Sequence, residues 1–127
     1  GITALTRLPV GVVRACPPTW AMFRQLLEEA TAVGRARGVR LPDDIVERHL
    51  ALAARLEPHV SSSLASDLAQ GKRLEVEALH GTLVRYGQDA RIPTPAAAAV
   101  YAALLPHHLL ATGTLGPDGQ MAAPPRA

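Results

Sequence analysis

Ser61–Gly81, SSSLASDLAQGKRLEVEALHG, is the stretch that decides how this chain folds. Three serines, a residue type that caps helix N-termini, precede Leu64, Ala65 and Leu68, which suggest a short helix. Gly71 breaks it, and Glu75 opens a second helix in which Val76, Leu79, Leu83, Tyr86 and Ala90 recur on one face. On a wheel of ~100° per residue, Glu75 falls roughly 60° from the centre of that stripe and Glu77 roughly 140° from it. The wheel places Glu75 at the rim of the buried face, where a carboxylate can line a cleft, and Glu77 in water. His80 borders the stripe on its other side. A carboxylate in a first turn sits at the positive end of the helix dipole, which favours the anion. Such a group accepts hydrogen bonds or orients a cation better than it donates a proton.

The flanks continue the helical pattern. Residues 2–14, ITALTRLPVGVVR, read as a short apolar helix or turn broken at Pro9 and Gly11. Pro17-Pro18-Thr19 announces a helix with Thr19 as N-cap, and Gly38 closes it. Its inner stripe is Trp20, Phe23, Leu26, Leu27, Ala30 and Val33, and Glu28 and Glu29 fall on the solvated side. Asp43 and Asp44 open the next helix. There Val46, His49, Leu50, Ala53 and Leu56 face inward, His49 as a buried, hydrogen-bonded imidazole, and Pro58 stops it. Downstream, Ile92-Pro93-Thr94-Pro95 is a rigid break before an alanine-rich helix over 96–110. The rest, TGTLGPDGQMAAPPRA over 112–127, is expected to be a mobile tail.

The totals agree. A length of 127 residues suits one domain, and 48% hydrophobic with 19% charged residues is a globular composition. Aromatics are only 3%, so the core is built from Leu, Val and Ala and the fold class is all-α. A net charge of +2 is a small imbalance, and Arg35, Arg37 and Arg40 gather at a helix end, where cations are favourable anyway. No nucleic-acid partner is expected. A single cysteine, Cys16, excludes an intramolecular disulfide and suits a reducing compartment, the cytoplasm. No apolar run reaches the ~18–20 residues of a membrane span. Glu47, His49 and His59 lack metal-motif spacing, and adjacent His107 and His108 cannot both aim at one ion from a helix, so no metal ligand is assigned. The serines lack a GxSxG elbow. Gly113, Gly116 and Gly119 follow no strand, so they are no dinucleotide site. The chain opens on Gly1 rather than methionine, and a fragment, a processed product or a tagged form is expected.

The opening stretch also resembles a family signature. SSSLASDLAQGKRLEVEALHG is similar to the C-terminal domain of ketopantoate reductases (2-dehydropantoate 2-reductases), roughly S-S-M-x-x-D, a G-R-x-T-E-I-D turn and an I-N-G helix. ITALTRLP resembles the segment after that family's catalytic helix, GVRLP a loop before its next helix, and RIPTP its G-I-P-T-P break. The resemblance runs from Ile2 to about Leu105. It implies a helical bundle over 1–111, of the 6-phosphogluconate dehydrogenase C-terminal type, for substrate binding and dimerisation. It also implies a small 2-keto acid as substrate and a Rossmann domain upstream to hold NADPH. Residue by residue, Ser63 falls at the family's substrate-binding serine and Glu75 at its catalysis-assisting glutamate, while Asp67 matches a structural aspartate.

The chain departs from the family where the acid should be. The family's proton-donating lysine lies upstream of ITAL, whereas Lys72, the only lysine here, sits in the turn. There is no asparagine, and the I-N-G position reads Leu79-His80-Gly81. The resemblance therefore implies half of a site. The expected function is the C-terminal substrate-binding domain of an NADPH-dependent, ketopantoate-like reductase, inactive in isolation. The alternative is a stand-alone helical association domain that has lost the enzyme activity. Without its Rossmann partner the domain is expected to expose apolar surface along Ile2–Val13, and hence to form homo-oligomers.

Overall fold

A computed structural model describes residues 1–123, and helices dominate it as the composition predicts. The order is α1 Ile2–Thr6, α2 Val10–Ala15, α3 Pro17–Ala36, α4 Ile45–Ala54, α5 Ser63–Ala69, a π turn Glu77–Gly81, α6 Thr82–Ala90 and α7 Pro95–Ala111. Val76 is helical in φ and ψ just ahead of the π turn. Among the described residues, the β structure is one isolated antiparallel bridge, Leu115 to Met121, in the turn after α7. The expected tail, 112–127, is thus folded back at 114–122, with the Ala122 N–H donating to the Thr114 carbonyl at 2.8 Å. Its last four positions, 124–127, lie outside the described residues.

The core gathers where short helices meet α7. Ile2 and Ala4 of α1, Val13 of α2, Leu64 of α5, Leu74 and Val76 ahead of the π turn, and Val100 and Leu104 of α7 form one buried cluster. Leu74, Val76 and Val100 are its largest fully buried side chains. Both halves of the 61–81 stretch therefore root in the same core, which is what fixes Ser63 and Glu75 relative to it. His108 Nδ1 accepts the Leu74 N–H at 3.2 Å and ties the connecting turn to α7.

Several local expectations change. Gly11 lies inside α2 instead of breaking it: its N–H donates to the Pro58 carbonyl at 2.9 Å, and a Cβ there would fall 2.7 Å from Pro58 Cβ. Its smallness lets α2 lean on the 58–60 segment. The α3 N-cap is Cys16, with proline in the first turn, and the Thr19 hydroxyl instead donates back to the Val13 and Cys16 carbonyls. His49 is exposed and bonds the Ile45 carbonyl of its own helix at 2.9 Å, because Leu50 and Ala53 take the inward face. Ile2, Ala4, Val10 and Val13 are buried, so the expected apolar surface along Ile2–Val13 shrinks to Leu8 and Val12.

Glu29 is the largest revision. It is buried, its two carboxylate oxygens each 2.8 Å from a backbone nitrogen, Ala96 and Ala97, at the start of α7. Gln25 donates to the same carboxylate at 3.1 Å. A helix leaves its first N–H groups unpaired and carries partial positive charge there, so an anion from a neighbouring helix satisfies both needs. Thr94, the α7 N-cap, makes no side-chain cap bond, and Glu29 takes over that role.

Candidate functional site

The three serines of the opening stretch divide their work. Ser62 is the N-cap of α5: its hydroxyl accepts the Ala65 N–H at 3.2 Å and shares a 2.9 Å hydrogen bond with Thr3 Oγ1 of α1. Ser63, one residue on, is exposed at the first helical position. With capping done by its neighbour, its hydroxyl has no partner among the described residues.

Glu75 is exposed between the buried Leu74 and Val76. Its carbonyl accepts the Leu79 N–H at 3.0 Å, so its backbone belongs to the turn at 77–81, while its carboxylate makes no bond among the described residues. The helix expected over Glu75–Ala90 is present, but its first part is a π turn. The Thr82 N–H reaches the Glu77 carbonyl five residues back. A π turn inserts a residue into helical register, so a wheel at ~100° per residue misplaces the residues on its N-terminal side relative to those on its C-terminal side. The expected stripe keeps Leu79, Leu83 and Tyr86 on one face, but that face lines an open cleft, so Leu79 is 54% exposed and Tyr86 37%.

Glu77, expected in open water, is half-buried and bonded. Its carboxylate accepts the Tyr101 hydroxyl at 2.6 Å and Arg85 Nη1 at 3.0 Å. The Tyr101 hydrogen bond, then the one from Arg85, hold its pKa below the usual value. Tyr101 is correspondingly raised, first by that same bond. No sequence rule finds this group, since Glu77 and Arg85 stand eight residues apart, outside the i,i+4 pattern.

An open cleft of about 890 Å³ runs beside these residues. Trp20, Phe23 and Leu27 of α3 form one wall, and Leu79, Leu83 and Tyr86 face it. Among its lining residues Thr3, Ser62, His80 and Thr82 are polar. Arg37 stands at the cleft with its guanidinium 3.6 Å from the centre of the Tyr86 ring. Trp20 and Phe23, 5.3 Å apart between ring centres and expected in the core, are half-buried wall residues of this cleft. Burial is the main force pushing the His80 imidazole down to about 4, so the ring is neutral at pH 7. Its Nδ1 is shut from solvent and has no hydrogen-bond partner among the described residues.

Ser63 and Glu75 are not cleft-lining residues. Each is sequence-adjacent to a group that the structure anchors: Ser63 to the capping Ser62, and Glu75 to Leu74 and Val76 of the core. The arrangement offers two free oxygen-bearing side chains outside a largely apolar cleft, and such groups can hold the carboxylate or hydroxyls of a small molecule. Lys72 and Arg73 are exposed in the connecting turn. Among the described residues no group of three His, Cys, Asp or Glu side chains could hold a metal ion, and no helix is long and apolar enough to cross a membrane.

Comparison with known proteins identifies the family. The family model described as "Ketopantoate reductase PanE/ApbA C terminal" matches residues 1–107. The chain belongs to the ketopantoate reductase family, as its C-terminal domain. Among curated relatives of this ketopantoate reductase domain, the 2-dehydropantoate 2-reductase of Halobacterium salinarum is 38% identical over 93 residues, 73% of this chain and 30% of that protein. The Caulobacter vibrioides enzyme of the same name is 37% identical over 103 residues, 81% of this chain and 35% of that one. A PanE/ApbA family ketopantoate reductase from Ralstonia eutropha JMP134 superposes with a TM-score of 0.76 at 40% identity, covering 84% of this chain and 36% of that one. The Staphylococcus aureus ketopantoate reductase, described as dimeric, gives a TM-score of 0.79 at 26% identity over 84% of this chain and 37% of its own. The domain thus spans about a third of the length of the relatives it matches.

Proposed function

We propose that this domain binds the substrate of an NADPH-dependent reductase of a small, ketopantoate-like 2-keto acid, through Ser63 and Glu75. The observation that carries the reading is the division of labour at α5: Ser62 supplies the cap, and Ser63, the position the family resemblance gives to substrate, is left free. Ser63 donates to the substrate's carboxylate or hydroxyl. Glu75, exposed and anchored through its backbone, orients the substrate hydroxyl or the proton donor. The residues present do not fit a dinucleotide, since no strand precedes a glycine-rich turn in 1–123, so NADPH belongs to a separate Rossmann domain of the working enzyme. Assembly as a homo-oligomer accords with the dimeric Staphylococcus aureus relative. A cytoplasmic setting accords with the free, exposed Cys16. The division into a helical domain, 1–111, and a tail, 112–127, belongs to the same proposal, α7 ending at Ala111.

Titrating the chain with ketopantoate, followed by amide shifts in NMR, tests this. Shifts are expected at Ser63 and Glu75, and Ser63→Ala or Glu75→Gln weakens binding about tenfold, the worth of one hydrogen bond to a charged group. The chain alone shows no NADPH oxidation with ketopantoate. Saturating ketopantoate without shifts at these two positions, or turnover by the chain alone, overturns the assignment. The apolar walls of the cleft favour a second reading, a stand-alone association domain, which the same absence of shifts would support.

A further inference from the structure

The π turn at Glu77–Gly81 has its own lock. A π turn is rare because its i→i+5 bonding is less favourable than the α-helical one, so one that persists has something holding it. Here the Glu77 carboxylate is gripped from two helices, by Tyr101 of α7 and Arg85 of α6. The Glu77 carbonyl takes the Thr82 N–H, the Thr82 hydroxyl at 3.2 Å and Arg85 Nη2 at 3.2 Å. Arg85 Nη2 also donates to the Thr82 hydroxyl at 3.2 Å. Gly81 is buried under the carboxylate: a Cβ there would fall 2.8 Å from Glu77 Oε2 and 3.0 Å from Tyr101 Cε2. A glycine at that position lets the Glu77 side chain fold over the turn.

The turn joins two sets of residues whose directions matter. Ahead of it, Glu75 is bonded in through its carbonyl and the Leu79 N–H. Within it, Leu79 and His80 stand on the cleft wall. Were the segment α-helical, one residue of register would vanish, and everything on one side would rotate by roughly 100° relative to the other.

We propose that Glu77, held by Tyr101 and Arg85, is a positioning residue for the site: it locks the π turn and so aims Glu75 ahead of it and Leu79 and His80 within it. The inference rests on the reading of Glu75 as a substrate group and adds what points it. Glu77 itself touches no substrate in this scheme. It acts on the 2-keto acid only through the direction of Glu75.

The test compares the 127-residue chain with Glu77→Ala, Glu77→Gln and Tyr101→Phe by NMR. In Glu77→Ala the Thr82 amide exchanges with solvent at least about tenfold faster as its i+5 bond loosens. His80, released from the cleft wall, titrates above its present value of about 4. Ketopantoate affinity falls on the order of tenfold as Glu75 is misdirected. Glu77→Gln, which keeps one acceptor for Tyr101, restores part of all three. The unfolding midpoint moves little, because the Glu77–Arg85 pair is partly exposed. Should Glu77→Ala not fold, Tyr101→Phe, which removes a single hydroxyl, gives the same readouts in weaker form. Unchanged Thr82 exchange and unchanged His80 titration in the folded variants overturn the proposal. If both move while the unmodified chain ignores ketopantoate, the lock stands and the substrate role of Glu75 falls.

Discussion

The two sides of α3 show what a helical pattern says and what it leaves out. One side carries Glu29, which is buried against the first turn of α7. The other carries Trp20, Phe23 and Leu27, half-buried on the wall of an open cleft, with Ala30 exposed beside them. The pattern alone puts the whole apolar stripe inward and the acid outward; Val33 follows it, and Phe23 and Leu26 pack on the core, but Trp20 and Leu27 line the cleft and Glu29 is buried. Periodicity reports which residues share a face; what covers that face is decided by the other elements. Here the unpaired N–H groups of α7 outweigh the ordinary preference of a carboxylate for water, since two strong hydrogen bonds replace its hydration.

Removing the acid attacks the covered side, and it should have the largest effect. Glu29→Ala leaves the Ala96 and Ala97 N–H groups buried without their acceptors, at about 1–3 kcal/mol for each. A loss of about 2–6 kcal/mol in urea unfolding, with the m-value unchanged, is the expected outcome. Glu29→Gln should lose less, since its carbonyl can serve one of the two donors. A Glu29→Ala chain as stable as the parent would mean that α7 is held by apolar packing alone, and the contrast between the two sides of α3 would disappear.

The cleft side has a polar exception in His80, and pH reads it. Folded, the imidazole is held neutral down to about 4; unfolded, it titrates near its ordinary 6.5. Between those values the unfolded chain binds the extra proton, so this contribution is complete above pH 6.5 and is lost as pH falls towards 4. At about 1.4 kcal/mol per pKa unit, and discounted because the ring is only half-buried, about 1–2 kcal/mol is at stake. Stability should fall by that amount as pH drops from 6.5 towards about 5, and this part of the slope should be reduced in His80→Gln, while the carboxylate losses that begin near 4.5 remain. The Glu77 contribution sits lower, lost only as pH falls below that group's usual 4.5 towards its lowered folded value, so the two are separable. A pH-independent parent would show that His80 is as wet as the rest of the cleft mouth.

Much of this architecture is legible from residue types. Gly38 at φ 82° and Gly71 at φ 64° close α3 and α5 where glycine signals a helix end, and proline marks the first turns of α3 and α7. The serine cap is legible as a class, but choosing among three consecutive serines needs the Thr3 contact from a residue 59 positions away. The π turn leaves no readable mark, because a single inserted residue changes phase without changing composition. The wheel therefore sends Glu77 to solvent, when it meets Tyr101; Leu79 does share a face with Leu83 and Tyr86, and what the wheel cannot tell is that this face lines an open cleft. Ser63 and Glu75 emerge from the family signature alone; both are exposed, and neither lines the cleft.

Leu79 gives the smallest effect on stability and the sharpest view of the open side. At 54% exposed it has little buried area to lose, so Leu79→Ser should change unfolding by no more than about 0.5 kcal/mol. Its effect should appear instead in what the apolar surface attracts. Leu79, Leu83 and Tyr86 line a cleft of about 890 Å³ with Trp20 and Phe23, so self-association of this chain should run through that cleft and not through the exposed Leu8 and Val12, which do not line it. Sedimentation equilibrium at high concentration, with binding of a hydrophobic dye in parallel, should show both reduced in Leu79→Ser, and less so in Val12→Ser, whose target is 47% exposed but does not line the cleft. If Leu79→Ser instead costs more than about 2 kcal/mol, a range that belongs to buried apolar side chains, the wall it stands on is core, and α3 has no open side to compare.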